Sequence, residues 1–286
     1  MSTPKDSSQP ASLNYEVVIK AKQRWQLINL DELWKFRELL YIFAWRDIKV
    51  RYKQTMLGVA WIVLQPLVNA AIFTIFFGNF AKIPSDSLPY PVFVLLGLIF
   101  WGFFSSTLSH AANSFMENEN LIKKVYFPRE ILLFSTVTTT VIDFAITLIV
   151  LFILIFSFRV PLQPLFFLMI FVVFFLTVIA STGLGLFLAS INIKYRDFKY
   201  ILPFFLQLLI FVTPVIYPLK IVRPSFQYLL ALNPMTGLID ALRSSLAHGT
   251  IEHPGILAIS VTTALLCFLV GLVYFRFTEK YIADVL

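Results

Sequence analysis

None of the ten glycines in this sequence is followed by lysine, so the chain lacks the glycine-rich, lysine-bearing loop that cradles nucleotide phosphates in P-loop proteins. The chain is therefore not expected to hydrolyse ATP itself. Cysteine is nearly absent: Cys267 stands alone within an apolar run, which excludes an intrachain disulfide and a cysteine metal centre. The three histidines, His110, His248 and His253, do not fall at HExxH or comparable spacing, so no metal site is expected. Charge is scarce as well. Only 14% of residues are charged, against about a quarter in soluble domains, too few to clothe a soluble surface.

What replaces charge is hydrophobicity, at 58% of residues, in runs long enough for spans of about 20 residues. These features predict an all-α integral membrane protein with six transmembrane helices. The spans are expected at about 56–80, 91–112, 131–158, 165–191, 200–217 and 255–275. The first apolar run begins too late, and is too long, for a cleaved signal peptide. Residues 1–30 form an N-terminal cytoplasmic segment, Ser- and Pro-rich at its start and expected to be disordered there; residues 31–286 form the transmembrane domain. Between 33 and 53, Lys35, Glu38, Arg46, Lys49 and Lys53 share one helical face while Leu33, Phe36, Leu40, Phe43 and Ala44 share another. That pattern predicts an amphipathic helix in the membrane interface. Two apolar pieces, about 226–232 and 235–247, are separated by Asn233 and Pro234. Each is too short to cross about 30 Å of hydrocarbon, so they are read as a re-entrant pair within the region 220–254.

Lys and Arg are unevenly distributed, and ten of them precede Thr55. An anionic membrane surface suits them better than nucleic acid. Counted on alternate sides of the six spans, eighteen of the twenty-three fall on the side of the termini. The positive-inside rule then places both termini in the cytoplasm and turns the re-entrant pair outward.

The segment NSFMENENLIKKVYFPRE, residues 113–130, carries six charges between two apolar runs. Its mixture of Glu117, Glu119, Lys123 and Lys124 with Leu121, Ile122 and Val125 suits a short amphipathic helix offering a face to another protein; a solvated connector is the alternative. Pro128 is expected in the first turn of the following helix. Asp143 is the only carboxylate deep in an expected span, where an ionisable residue marks function by default; nearby Thr138, Thr139, Thr140 and Thr147 offer a structural alternative. Asp240 and Arg243, three residues apart, are expected to form a salt bridge. Trp61, Phe100, Trp101 and Phe104 are candidate channel-lining aromatics, because the apolar face of a sugar ring stacks on such side chains; packing or interfacial anchoring is the alternative.

Five stretches occur in an order that resembles the ABC-2 permeases of polysaccharide ABC exporters: WRDIKVRYKQTMLGVAWIVLQPL (45–67), PYPVFVLLGLIFW (89–101), NLIKKVYFPREIL (120–132), YRDFKYILPF (195–204) and NPMTGLIDALR (233–243). TPVIYP at 213–218 departs slightly from the serine-proline form of relatives. The resemblance implies a homodimer of this chain with two separate ABC ATPase subunits, in a two-plus-two complex of the bacterial inner membrane. ATP and Mg would bind the ATPase, and this chain would hold no cofactor. The implied cargo is an undecaprenyl-diphosphate-linked polysaccharide, most readily O-antigen, with teichoic acid or capsular polysaccharide as alternatives. The implied coupling residues are Glu119, Asn120, Leu121, Lys123 and Arg129, joined by Arg196 and Asp197. Arg46, Lys49, Arg51 and Lys53 would meet the lipid diphosphate. A membrane enzyme acting on lipid phosphates would need clustered Asp, His or Arg at a membrane face, and none appears outside the basic helix. A passive channel would not need a charged docking segment.

Overall fold

The computed structural model describes residues 30–53, 58–195 and 197–285, which are helical throughout apart from turns and short connectors. The N-terminal segment expected over 1–30 lies outside the described residues except for Leu30. The helices are α1 (Leu30–Lys35), α2 (Arg37–Lys53), α3 (Val59–Phe73), α4 (Tyr90–Glu117), α5 (Glu119–Lys124), α6 (Glu130–Ser157), α7 (Pro164–Lys194), α8 (Phe198–Val212), α9 (Pro224–Leu230), α10 (Pro234–Ala247) and α11 (Pro254–Val285). A π-helical stretch, Thr74–Phe80, prolongs α3.

Proline sets many of the boundaries. It stands in the first turn of α4, α7, α9, α10 and α11, where a missing N–H costs no hydrogen bond and the fixed φ already suits a helix. At α10 the Asn233 side chain also accepts from the Met235 N–H at 3.0 Å, closing the helix start. Among the described residues, five segments are long and apolar enough to cross a membrane: Ala60–Phe80, Tyr90–Glu117, Glu130–Ser157, Pro164–Lys194 and Pro254–Lys280. The fifth expected span, 200–217, is realised as the 15-residue α8, about 22 Å long at 1.5 Å per residue. It stops because Thr213 precedes Pro214 and takes an extended ψ of 138°, the conformation that a following proline ring imposes. The expected short pieces at 226–232 and 235–247 correspond to α9 and α10, and α10 is almost wholly buried.

The core is organised on α4. Of its apolar window 78% is buried, against 6% for the α3 segment, so α4 is the hub and α3 a peripheral element. α4 packs on α3, α6, α7, α8 and α10, while α7 packs on α11 along its length. At the α7–α11 crossing Gly183 meets Gly271, and a Cβ on Gly271 would stand 1.9 Å from the Gly183 carbonyl oxygen. Only hydrogen at both positions lets the two backbones touch, which is how small residues bring membrane helices together.

Arg243 ties α10 to the hub. Its guanidinium, 4% exposed, donates to the carbonyls of Phe93 (2.9 and 3.1 Å), Pro214 (2.5 Å) and Val215 (2.5 Å). It also lies 3.5 Å from the centre of the Phe93 ring. The expected Asp240–Arg243 salt bridge is not formed; Asp240 instead pairs with His253 at 2.9 Å. The three carbonyls offer Arg243 a complete set of acceptors inside the protein, which a carboxylate one helical turn away does not.

Gly271→Ala should force α7 and α11 apart and lower stability by about 1–3 kcal/mol, seen as a lower melting temperature in detergent. Gly102→Ala, whose Cβ meets nothing within 4 Å, should leave it unchanged.

Candidate functional site

The amphipathic helix expected over 33–53 is divided by a turn at Phe36 into α1 and α2. Its apolar face behaves as the pattern predicted: Phe43 and Ala44 are buried, and Leu33, Phe36, Leu39 and Leu40 pack on the cluster around Phe127, Ile131 and Phe275. The other flank leaves Trp34, Tyr41, Ile42, Trp45 and Val50 exposed. Thus α2 rests on α6 and presents aromatics outward, a composition suited to the headgroup layer.

The last turn of α2 enters a polar cluster between α4 and α6. Arg51 forms an ion pair with Asp143 Oδ2, and the Tyr52 hydroxyl donates to Oδ1 of the same carboxylate. The other end of the guanidinium lies 2.5 Å from His110 Nε2. A guanidinium has only donors, so Nε2 is the acceptor and the imidazole proton sits on Nδ1. Asp143 is therefore neither unpartnered nor satisfied by its threonine neighbours. Thr147 bonds the backbone carbonyls of Asp143 and Phe144, and Thr138 and Thr139 bond those of Phe134 and Ser135. Burial, reinforced by the bond to Asp143, raises the Tyr52 phenol above the ordinary tyrosine range, so it remains a donor at any physiological pH.

Asp143 also lines a cavity of about 450 Å³ bounded by α3, α4, α6 and α8. Gln65, Asn69, Ser105, Ser109 and Thr140 give it a polar wall, facing Pro66, Leu206 and Ile210.

Of the four basic residues expected at the mouth, only Arg51 joins this cluster. Arg46 pairs with Asp47 at 2.8 Å and lies over the Phe43 ring; Lys49 lies over Trp45; Lys53 is exposed. The candidate lining aromatics do not share a surface. Phe100 and Phe104 are enclosed in the core, with Phe100 edge-on to Phe144 at 5.0 Å. Trp101 is 4% exposed and borders the cavity, whereas Trp61 is half exposed. They are separated because α4 is buried on nearly every side, which sequence periodicity did not disclose.

The segment 113–130 folds as the end of α4, a single short helix α5, and an extended stretch. Glu119 and Lys123 pair at 2.6 Å along α5, Asn120 is exposed, Leu121 is half-buried and Ile122 is buried. Pro128 lies in the turn before α6 rather than in its first turn, and its carbonyl accepts from the Ile131 N–H at 3.1 Å. Arg129 turns inward and donates to the Glu279 carbonyl, beside an Arg276 that bridges Glu130 at 2.9 Å and Glu279 at 2.7 Å. Outward are Lys123, Lys124, Val125 and Tyr126, the last two 52% and 64% exposed. Val125 belongs to the apolar residues expected to offer a face to another protein; Tyr126 beside it is the addition the structure makes, an exposed aromatic next to two lysines. Asp197 is exposed; Arg196 lies outside the described residues. The two connectors approach through Asn192, whose amide donates to the Ala112 carbonyl at 2.9 Å.

Comparison with known proteins agrees with this architecture. Residues 38–247 match the family described as ABC-2 type transporter. The chain is 27% identical over 249 residues to the O-antigen export system permease protein RfbA of Klebsiella pneumoniae, covering 87% of this chain and 95% of the relative. It is 30% identical over 217 residues to the protein of the same name from Myxococcus xanthus, covering 74% and 82%. It is 24% identical over 236 residues to the polysialic acid transport protein KpsM of Escherichia coli, covering 82% and 91%.

The geometry separates the basic residues into two kinds. Arg51→Glu sets a like charge against Asp143 and should cost about 3 kcal/mol or more, whereas Lys49→Glu should change stability by less than about 0.5 kcal/mol. Melting curves of the two purified variants in the same detergent check this contrast.

Proposed function

The chain belongs to the ABC-2 type transporter family, and on that premise we propose that it is the permease subunit of an ATP-driven exporter of lipid-linked polysaccharide, with O-antigen as the favoured cargo. The observation that carries this reading is the match, over 74% to 87% of the chain, to permeases named for O-antigen export from two organisms. The match to a polysialic acid transport protein favours capsular polysaccharide as the second cargo; teichoic acid remains a third within the same class. The chemistry common to these cargoes is a sugar polymer. A lipid diphosphate at its end would give the basic mouth its ligand.

In this reading the chain is no enzyme, and it works as a homodimer with two ABC ATPase subunits that hold ATP and Mg. The apolar, exposed surfaces of α3 and α8, with Trp61, Phe76, Phe204 and Phe211 outward, supply a face for a second copy. The uneven placing of basic residues supports cytoplasmic termini and a site in the bacterial inner membrane. The ATPase docks on α5 and the stretch after it: Glu119, Asn120 and Lys123 form the polar part, and Val125 and Tyr126 extend it. Leu121 and Arg129 serve from the inner side, holding α5 and the start of α6 in place. Arg196 and Asp197 belong to the neighbouring connector. Arg46, Lys49 and Lys53 attract the diphosphate through charge-assisted hydrogen bonds, with Arg51 held in reserve by Asp143.

Three outcomes follow from this assignment. The purified chain should show no ATP hydrolysis above that of a mock preparation, while the complex with its ATPase hydrolyses ATP; activity that stays with the isolated chain through every purification step contradicts the assignment. A cysteine at Thr250 should react with an impermeant maleimide on intact cells, and one at Asn120 only after permeabilisation. Val125→Asp combined with Tyr126→Ala should weaken binding of the ATPase by about 2 kcal/mol, roughly thirtyfold in Kd, without changing the melting temperature. A double variant with unaltered binding and export removes α5 and its flank from the coupling surface.

A further inference from the structure

We propose that Asp143 is a positioning residue for transport: through Arg51 and Tyr52 it latches the last turn of α2 across one end of the cavity, and the latch must open for a cargo to pass. The inference rests on the exporter reading for the use made of the cavity, but not for the latch itself.

Four observations lead to it. Both oxygens of Asp143 are taken by consecutive residues of α2, Arg51 and Tyr52, so the carboxylate holds the end of the helix at two points and fixes its rotation. The same carboxylate lines the cavity, so whatever rests on it stands at the cavity wall. The cluster sits at one end of that space. Along α4 the lining runs from Leu98 to Ser109, and His110, the next residue, touches Arg51. Finally, α2 and the α3 helix that follows it are separated by residues 54–57 and Gly58, which has a φ of 43°. Glycine adopts that value at little cost, so Gly58 gives α3, the cavity-wall helix, a pivot at its start.

The remaining basic residues of α2 are not engaged in this way. Arg46 and Lys49 lie on the exposed side against Asp47 and Trp45, where they can attract an anion while the latch is shut. Arg51 has 27% and Asp143 21% of its side chain exposed, so the pair is reachable from the cavity yet shielded enough to be strong. An ion pair with these properties suits a two-state element better than a permanent brace, because each partner has another polar group at hand: Gln65, Asn69 and Ser109 line the same cavity as Asp143, and His110 already contacts Arg51.

The test uses the full chain in membrane vesicles, with Cys267→Ser and a single reporter, Gly102→Cys. Gly102 lines the cavity and a Cβ there meets open space, so the reporter fits without disturbing α4. The rate of reaction with an impermeant maleimide is measured in inverted and right-side-out vesicles, with neither ATP nor cargo present. Asp143→Asn should raise the rate about tenfold or more from the side on which α2 lies, since breaking a shielded pair shifts an equilibrium by at least that factor. Tyr52→Phe, which removes one hydrogen bond, should raise it a few-fold, and the exchange Arg51→Asp with Asp143→Arg should return it to within about twofold of the parent. If Asp143→Asn fails to insert, Tyr52→Phe decides. Rates unchanged in Asp143→Asn and Tyr52→Phe overturn the latch, as does an exchanged pair that labels as fast as the single variant. Because no cargo or ATPase enters the measurement, a failed latch is distinguished from a failed exporter assignment, which the hydrolysis and binding experiments address.

Discussion

A charge carried to membrane depth finds no water to hydrogen-bond it, so its partners must come from the protein. This constraint organises both ends of the molecule. Near the α2 end, Asp143 is satisfied by Arg51 and Tyr52, which draws a peripheral helix onto the spans. On α10, Arg243 is satisfied by three backbone carbonyls, which draws that helix onto α4. Each charge is costly alone and cohesive once partnered, and each fastens a shorter helix, α2 or α10, to a long apolar one, α6 or α4. The two solutions differ in kind. Arg243 is enclosed and its partners are backbone atoms that cannot turn away, whereas the Asp143 cluster consists of side chains bordering a cavity.

That difference divides the protein into rigid and adaptable parts. α7 and α11 touch backbone to backbone at Gly183 and Gly271, and α4 is buried on most sides; together with Arg243 they form a frame in which a small displacement meets a hard wall. α3 and α8 carry their large apolar side chains outward and lie on the border of the cavity. Motions that change the cavity therefore fall to α2, α3 and α8, elements with few enclosing contacts.

Much of this was legible in the sequence because the signals are local. Apolar runs of span length, prolines at helix starts and the two-faced pattern of 33–53 each depend on residues within a few turns of one another. The resemblance carried by five ordered stretches gave the family. What failed to appear were the long-range choices. Nothing local tells that Asp143 will find Arg51 rather than a threonine, since the two are 92 residues apart. The three-residue spacing of Asp240 and Arg243 pointed to a pair, but carbonyls freed by the turn at Pro214 proved the better acceptors. The same turn shortens the expected fifth span: Pro214 is visible in the sequence, but apolar run length alone does not register the extended backbone it imposes on Thr213. Phe100 and Phe104, candidates for a lining in the sequence, take the packing alternative, because aromatic content says nothing about which helix occupies the centre.

The carbonyls around Arg243 also impose an order on biosynthesis. Phe93 leaves the ribosome 150 residues before Arg243, an interval of roughly 8 to 30 s at 5–20 residues per second, whereas Val215 precedes it by 28 residues, only a few seconds. When α10 is made, its guanidinium can be buried with its acceptors only if α4 and the Pro214 turn are already in place. Helix α10 is therefore a late commitment that reads the correct placement of an early span. A chain whose α4 has been misplaced is left with a buried arginine that lacks the Phe93 carbonyl, an uncompensated charge of the costliest kind.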